Sequence, residues 1–194
     1  VTTTAVAMLV AANRVQLDAP IERFLPEWGR APNTAEWRKK VTVRHLLMHT
    51  SGLPGWQQYF LIAKGKKEIL AKALAEPLLT EPGTKIEYSD IGFILLGEIV
   101  ERVSGKALDQ FARERIFAPL GLSDAQFNPP KNLRARIAPT ENDASFRKRL
   151  VHGPRRYRDA PRERDNKHRN QENIKKHARE ACLGRHLNET IMRI

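Results

Sequence analysis

The stretch EPGTKIEYSDIGFILLGEIVERVSG, Glu81 to Gly105, sets a turn, a tyrosine and a helix start in close succession before an apolar run. Pro82-Gly83 is a turn signal. Ser89 or Asp90 is a good N-cap, because its side-chain oxygen can accept from backbone N–H groups that lack a helical partner. Ile91, Ile94, Leu95, Ile99 and Val103 then recur near the 3.6 period of a half-buried helix. Gly105 closes it. Gly92 and Gly97 are poor helix formers, each costing about 1 kcal/mol relative to Ala, so the pattern predicts close packing against another backbone there. On pattern alone Tyr88 has two readings, an amphipathic packing residue at the edge of that contact or a chemical group presented beside a helix start.

Around this helix the composition describes a globular chain of 194 residues, 41% hydrophobic and 29% charged. That length buries one good core, or one domain plus a tail. No run of 18 apolar residues occurs, so no transmembrane segment is expected. The opening VTTTAVAMLVAANRVQLDAP has neither Met nor a basic region ahead of its apolar run, and reads as the middle of a protein rather than a signal peptide. The single cysteine, Cys182, excludes an intrachain disulfide and a cysteine metal cluster.

The net charge of +12 would suit a nucleic-acid or acidic-membrane partner, but it is unevenly spread. Residues 1–153 hold 22 Lys+Arg against 16 Asp+Glu, and residues 154–194 hold 12 against 6, so half of the net charge falls in the last 41 residues. The change is abrupt at Gly153. Residues 1–153 are therefore expected to be the domain, and residues 154–194 a basic polar tail that is disordered or out of frame. A weak helix is predicted over Gln171–Leu187. A non-catalytic helical domain with a partner-binding basic tail is the alternative reading. Without aromatic interleaving or an RNA motif, nucleic acid is not the expected partner.

Elsewhere the pattern predicts mostly helix and loop. Thr2 or Thr4 opens a helix to about Val15, with Ala5, Met8, Leu9 and Ala12 on one face. LDAPIERFLPEWGRAPN is a Pro-rich connection. Thr42 caps a short helix, VRHLLMHT, that Ser51-Gly52 stops. Residues 66–76 form an amphipathic helix, and ALDQFARERIFAPLGL another that stops at Pro119. Only TKIEY and a few residues near Arg136 look extended.

Several side chains are candidates for chemistry. His45 and His49 stand at i, i+4, a possible metal pair, but Leu, Leu and Met lie between them, without the Glu of H-E-x-x-H. A structural role is the expectation, with no metal site. Ser51 in HTSGL is not in a G-x-S-x-G elbow and reads as a turn residue. Trp56, Tyr59 and Phe60 follow that turn and could line a cleft.

Four blocks carry a resemblance: LDAPIERFLPEW, VTVRHLLMHTSGLPG, EPGTKIEYSDIGFILLGEIVERVSG and IFAPLGL. In order and spacing they resemble the serine β-lactamase-related family of class C β-lactamases, penicillin-binding-protein-type D-Ala-D-Ala peptidases and related esterases, over roughly Val1 to Gly153. The resemblance implies an α/β (α+β) β-lactamase/penicillin-binding-protein-like fold, here a mainly α-helical part with few strands. It implies hydrolysis of an ester, β-lactam or peptidoglycan-type acyl bond through an acyl-serine, with no metal or organic cofactor. A serine hydroxyl is a poor nucleophile at neutral pH and needs an adjacent base. The family supplies an S-x-x-K at a helix start and the tyrosine of a Y-x-N block. Tyr88 matches that tyrosine and is the expected catalytic residue. Asp90 stands where relatives have Asn, and is the expected substrate-binding residue, although an ionised Asp accepts without donating. Members are often exported, which leaves this chain's localisation open.

Two family blocks have no counterpart. The one S-x-x-K, Ser145 to Lys148 in SFRK, follows the tyrosine block instead of preceding it, and reads as a chance match. No K-T-G occurs, and VHG at 151–153 is not H-x-G. The chain is expected to be inactive as it stands.

Overall fold

The computed structural model describes residues 1–30 and 35–136. The stretches 145–148 and 154–194 lie outside them, as does the helix expected over 171–187. Val1–Arg134 form one compact unit.

The helix expected after Tyr88 forms over Asp90–Ser104 (here α6, counting α1 to α5 ahead of it) and is the centre of the unit. Ser89 is its N-cap: the Gly92 N–H donates to Ser89 Oγ at 3.1 Å. Gly105 ends it at φ +73°, a left-handed conformation that favours glycine. Ile91, Leu95, Leu96, Ile99 and Val100 are all buried, so α6 is apolar around more of its circumference than a half-buried helix. Four helices cover it: α1 (Thr2–Ala11), α3 (Val43–Leu47), α5 (Gly65–Ala75) and α7 (Leu108–Ala112). The close backbone packing expected at the two glycines is not found: a Cβ at either would make ordinary van der Waals contact, nearest to a side chain. A Cβ on Gly92 would stand 3.6 Å from a Leu46 methyl, and one on Gly97 would stand 3.4 Å from a Leu108 methyl.

Several boundaries differ from the pattern. α1 ends at Ala11 rather than Val15, because Asn13 turns left-handed and the Arg14 N–H bonds to the Leu9 carbonyl at 2.9 Å. Its buried face is Ala5, Val6 and Leu9, with Met8 half-buried and Ala12 exposed. α3 has its Thr42 cap, yet stops at Leu47, ahead of Ser51-Gly52, because His49 takes φ +57°. After α7 the chain passes into a π-helical turn, Arg113–Phe117, which ends before Pro119. TKIEY forms no strand, and the residues near Arg136 lie in a 3₁₀ segment, Lys131–Arg136, rather than extended. Among the described residues the β-structure amounts to one isolated antiparallel bridge, Pro20 to Thr42.

The Pro-rich connection folds as two 3₁₀ turns, Ile21–Arg23 and Trp28–Arg30, and two further short helices appear, α2 (Ala35–Lys40) and α4 (Tyr59–Ile62). Arg38 of α2 is buried and holds this corner together. Its guanidinium lies 3.9 Å from the Trp28 ring centroid and donates to the carbonyls of Trp28 (3.1 Å), Leu74 (3.0 Å) and Glu76. The Leu74 and Glu76 carbonyls sit at the C-terminus of α5, where the helix dipole favours a cation.

Candidate active site

The approach to α6 is built from two loops joined by backbone hydrogen bonds. The segment 49–55 supplies carbonyls and the segment 79–90 supplies N–H groups. Leu79 donates to Gly52 (2.7 Å), Gly83 to Thr50 (2.8 Å), Glu87 to His49 (2.8 Å) and Asp90 to Gly55 (2.7 Å). Glycine is required at position 52, which has φ +81° and where a Cβ would fall 2.1 Å from the Thr80 carbonyl oxygen. Position 55 also excludes bulk, since a Cβ there would stand 3.0 Å from the Tyr88 carbonyl oxygen.

Tyr88 comes at the end of this paired region, two residues before the first turn of α6, with 62% of its surface exposed. Its ring lies against the His49 imidazole, centroids 4.5 Å apart and planes tilted by 33°. His49 also stacks on Phe93 of α6, centroids 5.0 Å apart. Ser89 is buried and fully engaged: its hydroxyl donates to the Pro54 carbonyl at 2.7 Å, and its N–H donates to His49 Nδ1 at 3.0 Å. Asp90 is the first residue of α6 and exposed, so a carboxylate stands beside the positive end of the helix dipole. Tyr88 and Asp90 are thus brought to one rim.

The other candidates are placed differently. His45 Nδ1 accepts from the Thr42 N–H at 3.2 Å, closing the capping box of α3. Since α3 ends between them, His45 and His49 do not share a helical face, and each Nδ1 already holds a backbone N–H. Burial pushes both imidazoles below the usual histidine range; for His49 the Asp90 carboxylate opposes this without reversing it. Among the described residues no three His, Cys, Asp or Glu are grouped to hold a metal ion. Ser51 is buried, with its Oγ accepting from the Leu53 N–H at 3.4 Å, as a turn residue would. Tyr59 does not line a cleft: it is buried, and its hydroxyl donates to the Glu76 carboxylate at 2.9 Å. Burial, with Glu76 beside it, pushes the Tyr59 phenol far up, so it stays protonated. Trp56 and Phe60 are exposed. No helix among the described residues is long and apolar enough to cross a membrane.

Comparison with known proteins shows the family to which this helical unit belongs. The family model described as Beta-lactamase matches residues 1–176, a stretch that runs past the composition change at Gly153. The chain belongs to that family, and its fold is the β-lactamase/penicillin-binding-protein-like one. It is 33% identical over 163 residues to a putative D-alanyl-D-alanine carboxypeptidase of Escherichia coli (strain K12), covering 79% of this chain and 38% of the relative. It is 34% identical over 142 residues to penicillin-binding protein 4 of Amycolatopsis lactamdurans, covering 71% and 36%. A solved family VIII carboxylesterase superposes with a TM-score of 0.61 at 26% identity, over 71% of this chain and 37% of that one. The chain therefore spans less than two-fifths of the length of these relatives.

Proposed function

We propose that these residues form the tyrosine-bearing part of a serine hydrolase that cleaves an ester, β-lactam or D-Ala-D-Ala-type peptide bond through an acyl-serine. The observation that carries this reading is Tyr88, exposed at the N-terminus of α6 on a backbone fixed on both sides, in a chain of this family. In the reaction, a serine oxygen forms the bond to the acyl carbon. Its proton passes to the phenolate oxygen of Tyr88, which returns it to the leaving group as the acyl bond breaks. Water then hydrolyses the acyl-serine. A tyrosine does this work only when a nearby ammonium favours its phenolate, the part that the lysine of S-x-x-K plays. Asp90 serves the substrate as an acceptor, for an N–H or hydroxyl, where an Asn would also donate.

The test is Tyr88→Phe in an enzyme-length chain carrying an S-x-x-K helix start ahead of these residues. Acylation should fall about 10²- to 10⁴-fold, the usual contribution of a positioned acid or base, with the fold retained. Unchanged acylation returns Tyr88 to a packing role. The 194-residue chain alone should neither turn over nitrocefin or a p-nitrophenyl ester nor take up a fluorophosphonate probe. Stoichiometric labelling that Ser145→Ala abolishes would show instead that the SFRK block supplies a nucleophile.

A further inference from the structure

His49 touches the candidate tyrosine from more directions than any packing role requires. Its carbonyl accepts from the Glu87 N–H at 2.8 Å and its Nδ1 from the Ser89 N–H at 3.0 Å, so one residue fixes the backbone on each side of Tyr88. Its ring supplies the third contact, packing against Tyr88 at 4.5 Å and against Phe93 at 5.0 Å. To bring the ring there, His49 adopts φ +57°, a conformation uncommon for a residue with a Cβ. An Nδ1 that accepts carries no proton, so the imidazole is neutral with its hydrogen on Nε2.

We propose that His49, as the neutral Nε2–H tautomer, is a positioning residue for Tyr88, holding the backbone on either side of it and the tilt of its ring, and that protonation of His49 releases this hold. The inference rests on the reading of Tyr88 as the proton-transfer group. A protonated imidazole has a donor at Nδ1 facing the Ser89 N–H, two hydrogens where one bond stood. The groups around the ring are Tyr88 from the connecting loop, and Phe93 and Asp90 from α6. Burial holds the imidazole below the ordinary histidine value, and the Asp90 charge opposes this without reversing it. His45, on α3, is turned instead toward Thr42 and the Gly83 turn.

The experiment compares the 194-residue chain with its His49→Asn and His49→Ala variants by NMR between pH 8 and 5. Asn places Oδ1 where Nδ1 stood, tolerates a positive φ and does not titrate. In the native chain the imidazole should show the Nε2–H tautomer, and the Tyr88 ring signals and Ser89 amide exchange should change in one step with the His49 titration. His49→Asn should keep Ser89 protected and remove the step; His49→Ala should speed Ser89 exchange about tenfold or more, the loss of one ordinary buried hydrogen bond. In the enzyme-length chain the acylation rate should lose its His49-dependent acid limb in the Asn variant. Tyr88 and Ser89 signals that stay flat through the His49 titration, an Nδ1–H tautomer, or a step that survives in His49→Asn would overturn the proposal. Should the Ala variant fail to fold, the Asn variant decides alone. The NMR outcomes need no catalysis, so they separate failure of this inference from failure of the Tyr88 assignment, which Tyr88→Phe tests.

Discussion

Two half-buried histidines make the unit's stability depend on pH in a defined direction. Both His45 and His49 are held below the ordinary histidine value of about 6.5, mainly by burial. A base whose folded value is depressed binds fewer protons in the native state than in the unfolded one, so stability is full above about 6.5 and falls as pH drops through the folded values. The exposed carboxylates that titrate low, Asp18 with Arg44 and Glu36 with Lys39, act only below their ordinary values of 3.8 and 4.5. Between pH 6.5 and 5 the slope therefore belongs to the histidines. Thermal unfolding should show the melting temperature declining across that window, with a shallower decline in His49→Asn because, of these two histidines, His45 remains. A flat profile would mean that neither Nδ1 acceptor matters to folding, and an equally steep one in the variant that His49 does not. That Tyr88 and Asp90 stand together at the start of α6 was legible because both lie in one short block. The contact of His49 with Ser89 was not, since the two are 40 residues apart and only the fold brings them together.

The elements most clearly written in the sequence are those whose apolar period and caps agree, such as α6 with Ser89 ahead of it and Gly105 behind, and α3 with Thr42. What local pattern missed was decided by tertiary contacts. The end of α1 depends on Asn13 turning left-handed, and the charged run AEWRKK contains the buried Arg38. That arginine joins α2, the Trp28 turn and the end of α5 through its bonds to the Trp28, Leu74 and Glu76 carbonyls. Burial lowers its affinity for a proton, yet a guanidinium stays charged under any ordinary condition. Arg38→Met keeps much of the volume and removes the donors to three carbonyls. It should destabilise the unit by about 3 kcal/mol, the scale expected when a buried charged hub is broken, read as a lower urea midpoint at unchanged slope. Arg38→Lys should fall between, because an ammonium cannot fork to three acceptors and stack on Trp28 together. A loss under about 0.5 kcal/mol for Arg38→Met, the range of ordinary surface changes, would show that water serves the carbonyls as well.

At the scale of the whole molecule, the apolar surface left outside the core has to be weighed against the charge. Phe60, Leu61 and Ile62 are consecutive and 57%, 45% and 61% exposed, and Leu79, Leu120, Leu122 and Phe127 are exposed as well. A run of three exposed apolar residues departs from the pattern of a self-sufficient unit, and large exposed apolar patches mark interaction surfaces or aggregation hazards. This chain spans 38% of its Escherichia coli relative, so the relative has much more polypeptide with which to cover such a face. Opposing association is the net charge of +12, which keeps copies apart at low salt. Added salt shortens the screening length to about 10 Å at 0.1 M and leaves the hydrophobic attraction in place. The 194-residue chain should therefore bind an apolar dye such as ANS and, in sedimentation velocity, associate more as salt rises. Phe60→Ser with Leu61→Gln and Ile62→Thr should weaken both effects while changing unfolding by little, because these side chains lie outside the core. Binding of duplex DNA driven by the basic residues would run the opposite way, weakening steeply as salt rises. A chain that stays monomeric and dye-free at every salt concentration would show that the exposed run needs no partner. Association that decreased with salt would shift weight from apolar contact to the charge, and with it to the basic residues of 154–194.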